Sequence, residues 1–323
     1  SCTYPAVNTD CAGNCLNGSM LLNGVCTEVT YVPDNNFEVI LFNLGLDGTG
    51  WVYDDYVVTS RIDTVTSLDI SNSNISDLTG IEAFTALINL QCFDNQLTTL
   101  DLSTNVNLEV LLVGDNDIWG SPNGNGLSSL DLSNNLALRE LSATNNALTT
   151  IDLSSNINLE EISLWGNNLT DINVSGLVNL QSLVIGHPAE GSFGITETND
   201  IANLDLSSNI ALRYLLISGQ WSLFNLDLSN NILLSTLSLW NNGLSSLNLS
   251  NIPVSNFIGG GFMGTCGQCV TISETNLFCI QVDNVLDWES SYQVNVDAQQ
   301  YFSVDCNSIV GCTNDTSCNY DAN

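Results

Sequence analysis

The 323-residue chain has no lysine. Its only cationic side chains are Arg61, Arg139 and Arg213, set against 35 Asp and Glu, for a formal charge of −32. Such a surface repels nucleic-acid phosphates and anionic lipid, which excludes both as expected partners. It attracts cations, calcium above all, and tolerates salt that screens its self-repulsion. Histidine occurs once, at His187, so no Ser-His-Asp or Cys-His set can be assembled elsewhere, and no enzymatic activity is expected. Apolar runs fall short of the roughly 18–20 residues that cross a bilayer, so no membrane span is expected. The opening Ser1-Cys2-Thr3-Tyr4-Pro5 does not read as a signal peptide. Any export signal is expected to have been removed or to lie outside this segment.

What is abundant is leucine, in two alternating strings. LxxLxLxxNxL is filled by Leu87, Leu90, Cys92, Asn95 and Leu97. LDLSxN is filled by Leu100, Asp101, Leu102, Ser103 and Asn105. Together they close a period of about 21 residues, which returns from Leu108, Leu138, Leu159, Leu180, Leu212 and Leu234, with a looser copy from Val65. One such unit cannot bury its own apolar side, so units must stack. The expected fold is a repeat solenoid, β-rich with a parallel sheet, whose eight coils cover 62–253 and stack to roughly 38 Å. Two Asn columns follow: Asn95, Asn116, Asn146, Asn167 and Asn242, then Asn105, Asn135, Asn156, Asn209 and Asn231. Inward amides there would bond the turns above and below.

The ends differ from the middle. Residues 1–31 form a Cys-rich linking module, and 32–61 an N-terminal cap. In that cap Asp34 starts a short helix by bonding amides near Phe37 and Glu38. Trp51, Tyr53 and Tyr56 are expected to pack into the same lid. Residues 254–310 read as a β C-terminal cap with strands around Cys269–Ile272 and Phe278–Val282, stapled by Cys279–Cys306. Residues 311–323 begin a further Cys-rich module. The cysteines cluster terminally: Cys2, Cys11, Cys15 and Cys26, then Cys266, Cys269, Cys279, Cys306, Cys312 and Cys318. They predict disulfide-stapled ends in an oxidising, extracellular compartment, with connectivity open. Zinc held by Cys266, Cys269, Cys279 and Cys306 is the weaker alternative. Cys92, in a leucine position, reads as a buried thiol.

These strings, with the lid Tyr31-Val32-Pro33-Asp34-Asn35-Asn36-Phe37-Glu38 and the ending Cys279-Ile280-Gln281-Val282-Asp283, resemble the leucine-rich repeat family in its secreted bacterial form. The resemblance covers about Tyr31 to Cys306. It implies a solenoid at the cell surface and says little of function, because the family binds proteins and glycans of many kinds or acts as spacer or adhesin. The tail Gly311-Cys312-Thr313-Asn314-Asp315-Thr316-Ser317-Cys318-Asn319-Tyr320-Asp321-Ala322 resembles the first half of a Cys-rich surface-protein module. The head Ser1–Pro5 resembles the second half. Either the segment is an excerpt of a chain carrying several modules, or copies follow one another head to tail.

Several constellations could carry binding. The LDLS strings align Asp69, Asp101, Asp131, Asp152, Asp205 and Asp227, like charges ~4.8 Å apart. Their repulsion must be offset by raised pKa values, neighbouring hydroxyls or bound cations. The column is therefore a solvated face or a weak calcium site, with Asp10, Asp315 and Asp321 as further calcium candidates. Phe93, Leu112, Trp165, Val184, Tyr214, Leu216 and Trp240 fall on outward positions of the leucine strands. They form an open patch for sugar rings or protein, or else are covered by inter-coil packing and insertions. The insertions, 117–126 with Trp119 and 186–200 with His187, follow the same strand in their coils and should emerge on one edge. Glycosylation candidates are Asn17, Asn74, Asn168, Asn173, Asn248 and Asn314 as sequons, and Thr64 in Asp63-Thr64-Val65. The functional expectation is a non-catalytic extracellular structural or adhesive protein, linked head to tail with its own copies. The alternative is a module that recognises glycan or surface protein on its aromatic face.

Overall fold

The computed structural model describes residues 15, 18–115, 125–186, 199–257, 270–273, 275, 277, 279–289, 291, 294–296 and 300–306. The entrance is a three-stranded antiparallel sheet of β1 (Ser19–Leu22), β2 (Val25–Tyr31) and β3 (Tyr56–Val58). Cys15–Cys26 closes its first hairpin. Helix α1 (Asn35–Asn43) lies between β2 and β3, and α2 (Thr59–Ile62) leads into the coils.

Asp34 decides where α1 begins and what it docks on. One carboxylate oxygen accepts from the amides of Asn36 and Phe37 at 2.9 and 3.1 Å, capping the helix. The other accepts from the amide and hydroxyl of Ser76 and the amide of Asp77 at 2.8, 2.9 and 3.1 Å, which fastens the cap to the first coil. Phe37 stacks on Phe84 at 6.3 Å, and both are fully buried, so the helix covers the otherwise wet end of the ladder. Burial pushes the Asp34 carboxyl up, but these hydrogen bonds win and hold it below the usual carboxylate range. A depressed folded pKa contributes stability that is present above the unfolded value of about 3.9 and is lost as pH falls through the folded one. Acidification below about pH 4 should therefore free the cap first. Hydrogen exchange at residues 35–43 should rise in acid before that of the central coils, and Asp34→Ala should give this pattern at neutral pH.

Parallel strands β4 (Ser67–Asp69), β5 (Asn89–Gln91), β6 (Val110–Leu112), β7 (Glu140–Ser142), β8 (Glu161–Ser163), β9 (Ser182–Val184), β10 (Tyr214–Ser218) and β12 (Thr236–Trp240) pair in chain order. The sheet does not stop at residue 253. β14 (Val270–Ser273) and β16 (Val294–Val296) extend it to ten strands. On the opposite side β11 (Asn225–Asp227), β13 (Ser246–Asn248), β15 (Cys279–Gln281) and β17 (Tyr301–Ser303) form a narrow four-stranded parallel sheet. The segment after Pro253 thus supplies coils of its own, with α3 (Val285–Glu289) between β15 and β16. Cys279–Cys306 ties it together, and Trp288 sits between Phe257 and Phe302 at 5.7 and 5.6 Å.

The interior is one continuous ladder. Leu87, Leu90, Leu97, Leu108, Leu111, Leu138, Leu159, Leu180, Leu183, Leu212, Leu215 and Leu234 are fully buried. Each such side chain contributes roughly 1.5–3 kcal/mol relative to exposure. Cys92 is buried and free, and burial pushes its thiol up to about 12, which keeps it from ionising.

Candidate recognition surface

The second Asn column points inward as expected, but each amide bonds the preceding coil alone and not the turns on both sides. The Asn135 amide donates to the carbonyls of Leu102 and Asn105, that of Asn156 to Leu132 and Asn135, and that of Asn231 to Leu206 and Asn209. The first column contains members that the sequence hides. Asn116 lies outside the described residues; in this coil Asn125 donates to the Cys92 and Val113 carbonyls and accepts from the Leu97 amide. Asn199 does the same beyond the second insertion, with Leu164, Ile185 and Leu169. In the next coil Gln220 replaces Asn, accepting from the Ile201 amide and donating to the Ser218 carbonyl. This coil reads Gln220-Trp221-Ser222-Leu223, one residue longer than the Asn-x-Leu or Asn-x-Ile of the others. An Asn-x-apolar triplet restarting after each insertion was the available signal.

Both insertions leave and rejoin on the same edge. Each departs at a glycine, Gly114 or Gly186, where a Cβ would collide with the backbone amide and hydroxyl oxygen of Thr144 or Ser218 in the next coil. The coils pinch there, and the Thr144 hydroxyl accepts from the Asp115 amide while donating to the Asp115 carbonyl. Trp119 and His187 lie in the insertions, outside the described residues, as do Asp10, Asp315, Asp321, Asn17, Asn314, Cys2, Cys11, Cys266, Cys269, Cys312 and Cys318.

The open face of the long sheet is less aromatic than its spacing suggests. Trp165, Leu216 and Trp240 are buried, the covered alternative for these positions, while Phe93, Leu112, Val184 and Tyr214 are half-buried. The strands present them outward, and packing along and between coils then covers the larger rings. The exposed aromatics lie elsewhere. Trp51 and Tyr53 are 75% and 64% exposed, correcting their expected place inside the lid, and only Tyr56 packs, 5.5 Å from Tyr31. The loop that carries them is anchored through its polar side chains. Asp47 accepts from the Thr49 amide and hydroxyl, and Glu38 accepts from the Asp54 amide, so the rings are left outside.

Carboxylates occupy the centre of the open face. Glu140 and Glu161 are direct neighbours on β7 and β8. Burial, then Glu140 and Glu160, push the Glu161 carboxyl up. Arg139 answers part of this charge through Glu160 at 2.7 Å, and Gln181 donates to the other Glu160 oxygen at 3.1 Å. The LDLS acids on the opposite side are settled locally. Asp101, Asp131, Asp152 and Asp205 each accept from the serine amide two residues on, at 2.9 Å. Hydrogen bonds from the hydroxyl and amide of that serine hold all four below the usual carboxylate range, so the offset is serine and not a raised pKa. Asp227 makes the same bond to Ser229. Among the described residues no group of three or more His, Cys, Asp or Glu is arranged to hold a metal ion. Of the glycosylation candidates, Thr64, Asn74, Asn168 and Asn173 are exposed and Asn248 is half-buried.

No protein-family model matches the chain. A 76-residue stretch, 23% of the chain, is 41% identical to internalin J of Listeria monocytogenes serotype 4b (strain F2365) and spans only 8% of that protein. The solved functional domain of InlJ from Listeria monocytogenes, described as including a cysteine ladder, superposes with TM-score 0.52 at 26% identity, over 84% of this chain and 62% of that one. An internalin, InlF, from the same species gives 0.50 at 17% identity, over 85% and 77%. This chain is a leucine-rich repeat solenoid. It is similar to a bacterial leucine-rich repeat protein, and among the described residues Cys92 is its free cysteine. Among the described residues no helix is long and apolar enough to cross a membrane.

Proposed function

We propose that the protein is an extracellular, non-catalytic adhesive module of a bacterial surface that recognises a protein or glycan partner on the open face of its long sheet. The observation that carries this reading is the face itself. Ten parallel strands present half-buried Leu112, Val184 and Tyr214 around the Glu140–Glu161 pair, an apolar and acidic mixture that suits a partner with basic or polyhydroxyl groups. Disulfides Cys15–Cys26 and Cys279–Cys306 favour an oxidising location, and the similarity to internalins favours surface recognition. The test is retention of the chain on immobilised basic proteins and on neutral polysaccharide columns. Binding to one class, lost on combining Leu112→Asp with Glu140→Gln, supports the reading. Retention on neither class removes it.

Head-to-tail linkage between copies is a second reading. It is supported by the complementarity of the tail Gly311–Ala322 and the head Ser1–Pro5, which lie outside the described residues. Negative-stain images of native material with fibres repeating near one solenoid length favour it. Dispersed particles at every concentration oppose it.

A further inference from the structure

One column of side chains is apolar and exposed in every coil from the third to the eighth. Val106, Leu136, Ile157, Val178, Ile210 and Ile232 each follow the second Asn position or, for Val178, Leu177 in its place, and are between 50% and 59% exposed. The residues just before them are hydrogen-bonded from coil to coil within the blocks 105–156 and 177–231, so the six stack at the coil spacing. The stripe is ~24 Å long. A scattered exposed aliphatic needs no explanation, but a continuous row does.

Three residues further on runs a second column, Glu109, Arg139, Glu160, Gln181, Arg213 and Ser235, joined amide to carbonyl in that order. It holds both cations of the solenoid, since Arg61 belongs to the cap. Arg139 is paired with Glu160, while Arg213 is exposed and makes no ion pair among the described residues.

We infer that this edge is a lateral docking surface for a second copy of the same chain, packed antiparallel. A copy carrying −32 is repelled wherever it meets only carboxylates, and this column is the part of the solenoid that offers it positive charge. A two-fold axis crossing the stripe at Val178 sets Ile157 of one copy against Ile210 of the other and Leu136 against Ile232. The same axis brings Glu160 of one copy opposite Arg213 of the other twice, one coil to either side of the axis. The stripe is narrow beside the ~800 Å² per partner of a standard interface, so the pair is weak and reversible. It gains strength by avidity when many copies crowd one surface.

Sedimentation equilibrium of the full chain, up to a concentration on the order of 100 µM, tests this. At about 0.5 M salt, where screening shortens the long-range repulsion to a reach below about 8 Å, a monomer–dimer equilibrium is expected. Ile157→Asp with Ile210→Asp should weaken it at least tenfold while circular dichroism and melting stay unchanged. Arg213→Glu should weaken it too, and adding Glu160→Arg should restore it. A monomer under all conditions, or a dimer indifferent to the aspartates, overturns the proposal.

Discussion

Asn167→Ala should be among the most damaging single substitutions in the solenoid. The Asn167 amide donates to the Ala143 and Leu164 carbonyls at 2.8 and 3.0 Å and accepts from the Leu148 amide at 3.1 Å, with no exposure. Alanine leaves the buried Leu148 amide without an acceptor, at about 1–3 kcal/mol, while the Ala143 and Leu164 carbonyls each lose one donor, at about 0.5–1.5 kcal/mol, and keep those from Asn146 and Asn199, so a loss of about 2–6 kcal/mol is expected. Because neighbouring coils meet across this amide, the loss also uncouples two halves of the ladder. The denaturation profile should broaden or split, as cooperativity in a repeat array depends on the interfaces between units. Asn168→Ala, one residue on and exposed, should cost less than about 0.5 kcal/mol. Equal midpoints for the two variants in urea would remove the ladder from the account of stability.

Opening Cys279–Cys306 should cost about 3–4 kcal/mol, the loop-closure entropy of a 27-residue separation. The cost falls on the C-terminal coils, whose strands β16 and β17 are sheet edges among the described residues and therefore fray readily. The Trp288 cluster with Phe257 and Phe302 should loosen with them, because the bond holds β15 near the end of β17. Replacing both cysteines with alanine should raise hydrogen exchange over 270–306 while the coils between β5 and β9 keep theirs. Uniform loss of protection along the chain would mean that the end is not a separate unit.

The solenoid was readable because its period is a direct record of packing. A side chain that must face the interior once per turn can only be apolar, and Leu90 and Leu111, then Leu141, Ile162 and Leu183, report this at a 21-residue spacing on either side of the first insertion. The helix at Asp34 and the strands near 270 and 280 were readable for local reasons, a capping carboxylate and short β-branched runs. Ladder amides displaced by insertions were harder to place. Asn125 and Asn199 stand where the period has already been broken, and bonds to carbonyls of the preceding coil and of their own coil before the insertion identify them as Asn-ladder members.

Burial on the outward faces was not readable, since alternation tells which side of a strand a residue takes and not what lies over it. Trp165 and Trp240 share the outward position with Phe93, yet both are buried and Phe93 is half-exposed. In the cap the reverse holds for Trp51 and Tyr53, which hydrogen bonds around Asp47 and Glu38 leave in water.

The sequence by itself determined the repeat, its inward leucines, the Asn columns and the acidic surface, because each depends on one residue's place within a coil. Tertiary structure decided which outward side chains are covered, that the long sheet runs on past residue 253, and that the exposed aliphatic row lies beside the solenoid's two arginines. Those outcomes depend on contacts between coils about 21 residues or more apart, and a linear pattern records a residue's own position but not its neighbours across that distance.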